Sequence, residues 1–267
     1  LGTTYFTGNA PCYPQAPLSL QVYQRINPFL DFEIQFSQGY YASNGRNNTR
    51  GLNWNFDEGD GIEITSEFTF LGGTYSGYED NFKNPWYVKL GGQYHSGKIY
   101  SNKFNNDGSL AAKVNGNRKE LYGNGQVYIS TEAMIFREKD SYNRGLTAFA
   151  RTGGGFYDDR NIIKRWSIIG MGYEGLFRNR PYDILYSGWG ITHGTKGFID
   201  YQKQSSVCIN VDGCYIIGEQ EIYEIGYSSE ITPWFSITPN MQLILNPNLR
   251  SDLGDILTVG VATRISF

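Results

Sequence analysis

Acidic, amide and basic side chains recur at every second position along extended stretches of this 267-residue chain, each stretch interleaved with apolar residues. Asp31 and Glu33 share one face of such a run, as do Glu63 and Glu67, Lys89 and Gln93, Tyr128 and Glu132, and Glu224 and Glu230; Gln242 and Arg264 occupy the same face of two later runs. Alternate residues of a strand share a face, so these groups form a hydrogen-bonding lining rather than one compact centre. Each charge also has a plainer role, neutralising an opposite charge across neighbouring strands. Glu67, Glu132, Glu224 and Arg264 stand out because they lie on the clearest runs. Catalysis would need a nucleophile, a base and an orienting group within reach of one another. The only histidines are His95 and His193. Neither lies in a nucleophile motif, and both read as strand-end residues at a wet rim, so no catalytic residue is assigned. Asn105-Asn106-Asp107-Gly108 and the pair Asp252 and Asp255 are explained by turn chemistry without calcium. Cys208 and Cys214 flank a turn-like segment and are a candidate disulfide, with Cys12 left over. No metal site and no cofactor is expected.

The elements that must carry this lining are strands. The last run alternates Leu257, Val259, Val261, Thr263, Ile265 and Phe267 with Thr258, Gly260, Ala262, Arg264 and Ser266. Similar alternation recurs from Leu18 onward and gives about eleven strands. Those at 145–152, 164–177 and 182–193 have ambiguous faces. Aromatic residues make up 16% of the chain, beside 33 Gly, while charged residues make up 18%. Mean hydropathy is −0.43, and no apolar run is long enough for a membrane-spanning helix. A barrel strand turns only alternate residues to lipid, so low mean hydropathy is compatible with a membrane. The net charge of −3 with no basic run argues against nucleic acid.

Short links around Asn27–Pro28, Lys139–Asn143, Arg178–Pro181 and Thr232–Pro233 alternate with long polar links at roughly 38–60, 96–120, 153–163, 194–219 and 246–255. The link near 72–84 breaks the alternation. Short turns on the periplasmic side and long loops outside are the habit of bacterial outer-membrane barrels. On this reading Trp86 and Trp234 mark the periplasmic rim, and Trp166 and Trp189 the outer rim. Arg160 and Arg165 are candidates to line the outer mouth or to meet lipopolysaccharide phosphates. The expectation is an all-β, antiparallel up-and-down transmembrane barrel, with residues 1–267 as a single domain. An odd strand count does not close a bacterial barrel, and Leu1 is not a natural start. The chain is therefore expected to be processed or incomplete, lacking N-terminal strands.

One block is more specific: Glu221-Ile-Tyr-Glu224, Ile231-Thr-Pro233-Trp234, Pro239, Gln242 and Asn246-Pro247, closing on Phe267. With Arg180-Pro181 and Asp183, Glu132 after Tyr128, Glu67, and Tyr13-Pro14, it resembles the carbohydrate-selective porins of the OprB type. The resemblance implies a sixteen-stranded barrel, of which this chain is the C-terminal two-thirds or so. It also implies passive diffusion of small, glucose-like sugars across the outer membrane. The inward-facing residues expected to line such a pore and contact sugar are Glu33, Glu67, Lys89, Gln93, Tyr128, Glu132, Glu224, Gln242 and Arg264. The implied surroundings are outer-membrane lipid and lipopolysaccharide, with monomer and homotrimer both open. Two competitors remain: a soluble secreted or periplasmic β-sandwich that binds carbohydrate, and a channel of the same fold for small organic acids or aromatic compounds.

Overall fold

The computed structural model describes residues 18–39, 59–73, 84–111, 116–139, 141, 143–204 and 216–266. Period-two alternation becomes eleven strands: β1 (Ser19–Asn27), β2 (Leu30–Gln38), β3 (Ile62–Gly72), β4 (Trp86–Asn105), β5 (Arg118–Arg137), β6 (Gly145–Gly155), β7 (Ile163–Glu174), β8 (Ile184–Gly194), β9 (Glu219–Thr232), β10 (Phe235–Leu245) and β11 (Ile256–Ile265). They form one sheet in strict sequence order, every neighbouring pair antiparallel. β1 and β11 are its two edges among the described residues. No helix among those residues is long and apolar enough to cross a membrane, which says nothing of a chain that crosses with strands.

The two faces of the sheet invert the habit of a soluble protein. Val259 is 74% exposed and Val261 66%, and Ile64, Phe68, Leu90, Ile169, Met171, Ile225 and Met241 on the same face are also exposed. On the opposite face Asp31, Glu63, Gln126, Ser130 and Glu224 are buried. Water would drive the apolar set inward and leave carboxylates outside. The observed order is stable where the outer solvent is hydrocarbon. No second sheet covers the apolar face among the described residues, so the sandwich is excluded.

One helix, α1 (Lys196–Gln204), follows β8. Thr195 caps it, its Oγ1 accepting the Phe198 N–H at 3.3 Å. Gly197 lies so close to β4 that an added Cβ would come within 3.0 Å of Asn102 Oδ1. On its other side Ile199 lies against Gly218, just before β9, and against Gly194 at the end of β8. β4 and β9 are five strand steps apart, roughly 24 Å on a flat sheet, whereas nine helical residues span only about 13 Å. Contact with both requires the sheet to curl around α1, with the polar face concave.

Two sequence expectations change here. The link expected at 96–120 is shorter, because β4 runs on to Asn105 and β5 starts at Arg118. The β4–β5 register shifts between His95 and Lys98 and again between Tyr100 and Asn105, which hides the alternation. His95, expected at a strand-end rim, is buried within β4 opposite Glu63. The expectations for Cys12, Cys208, Cys214, Tyr13-Pro14, Phe267 and most of the 72–84 link fall outside the described residues.

Candidate functional site: the polar face of the sheet

Register, rather than sequence distance, brings the lining together. Across the sheet one row runs Glu33, Glu67, Gly91, Tyr128, Gly153, Trp166, Thr192 and Gln220. The adjacent row, one step towards the short turns, holds Asp31, Thr69, Lys89, Ser130, Arg151 and Ile168. The next holds Tyr87, Glu132, Phe149, Gly170, Gly188, Glu224, Gln242 and Thr258. Every residue of the candidate lining set lies on this one face. Gln93 is one row towards the loop end, paired with Thr65 and Gln126. Arg264 is near the short-turn end, opposite Ser236, which in turn faces Glu230.

Three carboxylate–tyrosine pairs stand out. Glu67 accepts from Lys89 Nζ at 2.7 Å, from Thr69 Oγ1 at 3.2 Å and from the Tyr128 hydroxyl. Tyr87 donates to Glu132 at 3.3 Å, and Tyr186 donates to Glu224 at 3.3 Å. Gln126 donates its amide to Gln93.

Glycines decide how the rings lie. A Cβ at Gly91 would sit 2.2 Å from the Tyr128 ring, at Gly170 2.6 Å from Phe149, and at Gly226 2.3 Å from the Tyr186 hydroxyl. Each ring therefore leans against the wall over a neighbour that has no side chain, and shares the face with a fixed carboxylate. Phe149, Arg151, Trp166 and Tyr186 are lining residues that the sequence reading missed, because their strands have ambiguous faces. Glycine at alternate positions, as in Gly153 and Gly155, Gly170 and Gly172, or Gly188 and Gly190, is the signal that could have placed them.

Trp166, expected at the outer rim facing lipid, is instead on the polar face and only 4% exposed. The pairing of Trp166 with inward Gly153 and Thr192 fixes its direction. Trp189 does face outward, and its Nε1 donates to Glu221 at 2.7 Å, as does the Tyr223 hydroxyl. Trp86 and Trp234 lie exposed at the short-turn end. Arg160 is engaged within the fold: it pairs with Asp159, lies over the Tyr157 ring and donates to the Tyr122 carbonyl at 2.8 Å.

The Arg180-Pro181 and Asp183 motif pins a turn. Asp183, 2% exposed, accepts from Arg180 Nε at 2.7 Å, from the Glu230 N–H at 3.0 Å and from the Tyr227 hydroxyl. Burial alone would push this carboxyl up, but Arg180, Tyr227 and the Glu230 amide outweigh it and hold it below the usual carboxylate range.

A curled antiparallel sheet, greasy outside and carboxylate-rich within, defines the class: the wall of a transmembrane β-barrel. Residues 7–267 match the family model "Carbohydrate-selective porin, OprB family", and the chain belongs to that family. It is 22% identical over 194 residues to the putative porin QuiX of Acinetobacter baylyi, a match covering 67% of this chain and 41% of that protein. It is 23% identical over 205 residues to Porin B of Pseudomonas aeruginosa, covering 68% and 44%. The chain thus spans less than half the length of these curated relatives. The high-pH structure of Pseudomonas putida OprB superposes with a TM-score of 0.83 at 19% identity, over 96% of this chain and 60% of that one. The low-pH structure of the same protein gives 0.56 at 16% identity. At these identities the structural likeness speaks for the fold alone.

Proposed function

We propose that these eleven strands form part of the wall of a water-filled channel that lets small, glucose-like sugars diffuse passively into the periplasm. The observation that carries this reading is the repeated pairing of a carboxylate with a wall-lying tyrosine: Glu67 with Tyr128, Glu132 with Tyr87, Glu224 with Tyr186. A sugar offers hydroxyls at its rim and C–H bonds on its faces, so alternating acceptors and ring surfaces hold it weakly enough to let it pass. The lining set Glu33, Glu67, Lys89, Gln93, Tyr128, Glu132, Glu224, Gln242 and Arg264 supplies those contacts, and Phe149, Arg151 and Tyr186 join it.

The short turns face the periplasm and the longer links, with α1, face outward. The open edges at β1 and β11 are each completed by further strands, because unpaired backbone groups in hydrocarbon cost several kcal/mol apiece; the intact mass of the mature polypeptide checks this. Lipid and lipopolysaccharide surround the apolar face. Liposome swelling with glucose, a disaccharide and a small organic anion tests the substrate class. Glucose entering faster than solutes of similar size supports the reading, and rates ordered by size alone remove it.

A further inference from the structure

A cavity of about 470 Å³ lies at the loop end of the concave face, under α1. Its floor includes Thr192 and Gln220, the last two residues of the row that starts at Glu33, and its sides come from α1 and from the link between β10 and β11. From α1 come Phe198 and Gln202, four residues apart and so on one helical face. From the link come Asn248, Leu249, Arg250 and Leu253, and Ile162 and Ile163 at the start of β7 add apolar surface. We propose that this cavity is a receiving site for one small neutral saccharide at the outer mouth, separate from the carboxylate–tyrosine wall below it.

The lining chemistry is what a sugar needs and differs from that of the wall. Phe198 offers an apolar face to ring C–H bonds, and the amides of Gln202, Gln220 and Asn248 each combine a donor with an acceptor, which suits vicinal hydroxyls. Arg250 is held in place by Asp252, its Nε 3.1 Å and Nη2 2.5 Å from the two carboxylate oxygens. The volume lies within the usual range for small-molecule sites, about 300–1,000 Å³.

The backbone here is shaped against its own preference, an independent sign that side-chain placement matters. Asn246, Asn248 and Leu249 all have positive φ, of 51°, 58° and 65°. Asparagine tolerates that region, but leucine rarely enters it. Surrounding contacts hold the strained turn: the Asn248 N–H donates to Gln220 Oε1 at 2.9 Å, and the Leu249 carbonyl accepts from Ile217 at 3.0 Å. Strain of this kind persists where neighbours over-determine it, and it clusters at ligand-binding positions. The opposite wall is fixed as firmly. Thr195, fully buried, donates through its hydroxyl to the Asn161 carbonyl at 2.5 Å, and Asn161 exchanges side-chain hydrogen bonds with Asn124.

This inference rests on the sugar-channel reading, and its test separates the two. The full-length protein is reconstituted, and tracer glucose flux is measured against concentration, beside ion conductance in glucose-free salt. Phe198→Ala and Asn248→Gly (the glycine keeps the left-handed turn) are expected to raise the half-saturating glucose concentration about three- to tenfold, the loss of one or two modest contacts. Ion conductance is expected to stay unchanged. A second readout is direct: Phe198→Trp emission should shift on glucose addition, and the shift should weaken in the Phe198→Trp, Asn248→Gly double variant. Saturable wild-type flux with unaltered half-saturation in both variants overturns the receiving site and leaves the channel reading standing. Wild-type glucose flux no faster than that of size-matched solutes overturns both.

Discussion

Glu67 shows how a charge is prepared at the scale of one residue. Three donors converge on it, from its own strand, from neighbouring β4 and from β5 beyond that, and the Tyr128 ring beside it lies in the space that Gly91 leaves empty. Glu67→Gln keeps the shape but removes the charge that Lys89 and Tyr128 address. It is expected to lower sugar flux several-fold while the protein still assembles, as read by tracer uptake and by heat-modifiable gel mobility. Gly91→Ala would place a methyl group inside the Tyr128 ring volume, so Tyr128 must swing away from Glu67. The expected outcome is a comparable loss of flux without any change at the carboxylate itself. Tyr223→Phe, on the outer face, serves as the control and should leave flux unaltered. At this scale the polar face was partly legible: every residue chosen from sequence lies on it, because alternation sets a strand's faces where it is clear. Trp166 was not legible, since a tryptophan fits either a lipid rim or a glycine-lined recess, and only its partners Gly153 and Thr192 distinguish them.

Between strands, the turn at 175–183 governs how β7, β8 and β9 meet. Gly175 has φ of 72° and packs against Arg144, so a side chain there is excluded on both counts. Asp183 ties the turn to Glu230 and Tyr227 of β9. Its carboxyl is held below the usual range when folded, so it stabilises the fold at neutral pH. That contribution is complete above the carboxyl's unfolded pKa and is lost as pH falls through the lower folded value. Asp183→Asn is expected to cost about 1–3 kcal/mol, the range for a buried polar network losing one charged partner. It should lower the unfolding temperature near pH 7 and bring variant and wild type together in acid; a difference that persisted in acid would assign the loss to packing instead. From sequence, Arg180-Pro181 and Asp183 were recognisable as a motif, but not as a clamp, because the groups they hold lie some fifty positions downstream.

For the molecule as a whole, the decisive quantity is which face meets which solvent. Val259 points out of an exposed edge strand. Val259→Arg is expected to impair assembly by roughly 2–4 kcal/mol if it lies near the bilayer midplane, measured as the yield of heat-modifiable protein in vesicles. Normal assembly of this variant would reverse the assignment of faces. The concave face carries Asp31, Glu33, Glu63, Glu67, Glu132, Glu174, Glu224 and Glu230 against Arg25, Lys89, Arg137, Arg151 and Arg264, which leaves an acidic excess. An acidic lining raises the local concentration of cations. A potassium chloride gradient across a bilayer is therefore expected to give a reversal potential on the cation side, shrinking as salt screens the wall.

The sequence by itself determined most of the strands and, where the alternation is clear, their two faces, because those follow from a two-residue period that needs no knowledge of neighbours. Only the tertiary structure decided which lining residues meet. Register sets Glu67 beside Tyr128 across sixty-one positions, lays rings over glycines of adjacent strands and brings α1 across the mouth. Those are pairings between distant segments, and they follow from the hydrogen-bond ladder and the curl of the sheet rather than from any local pattern.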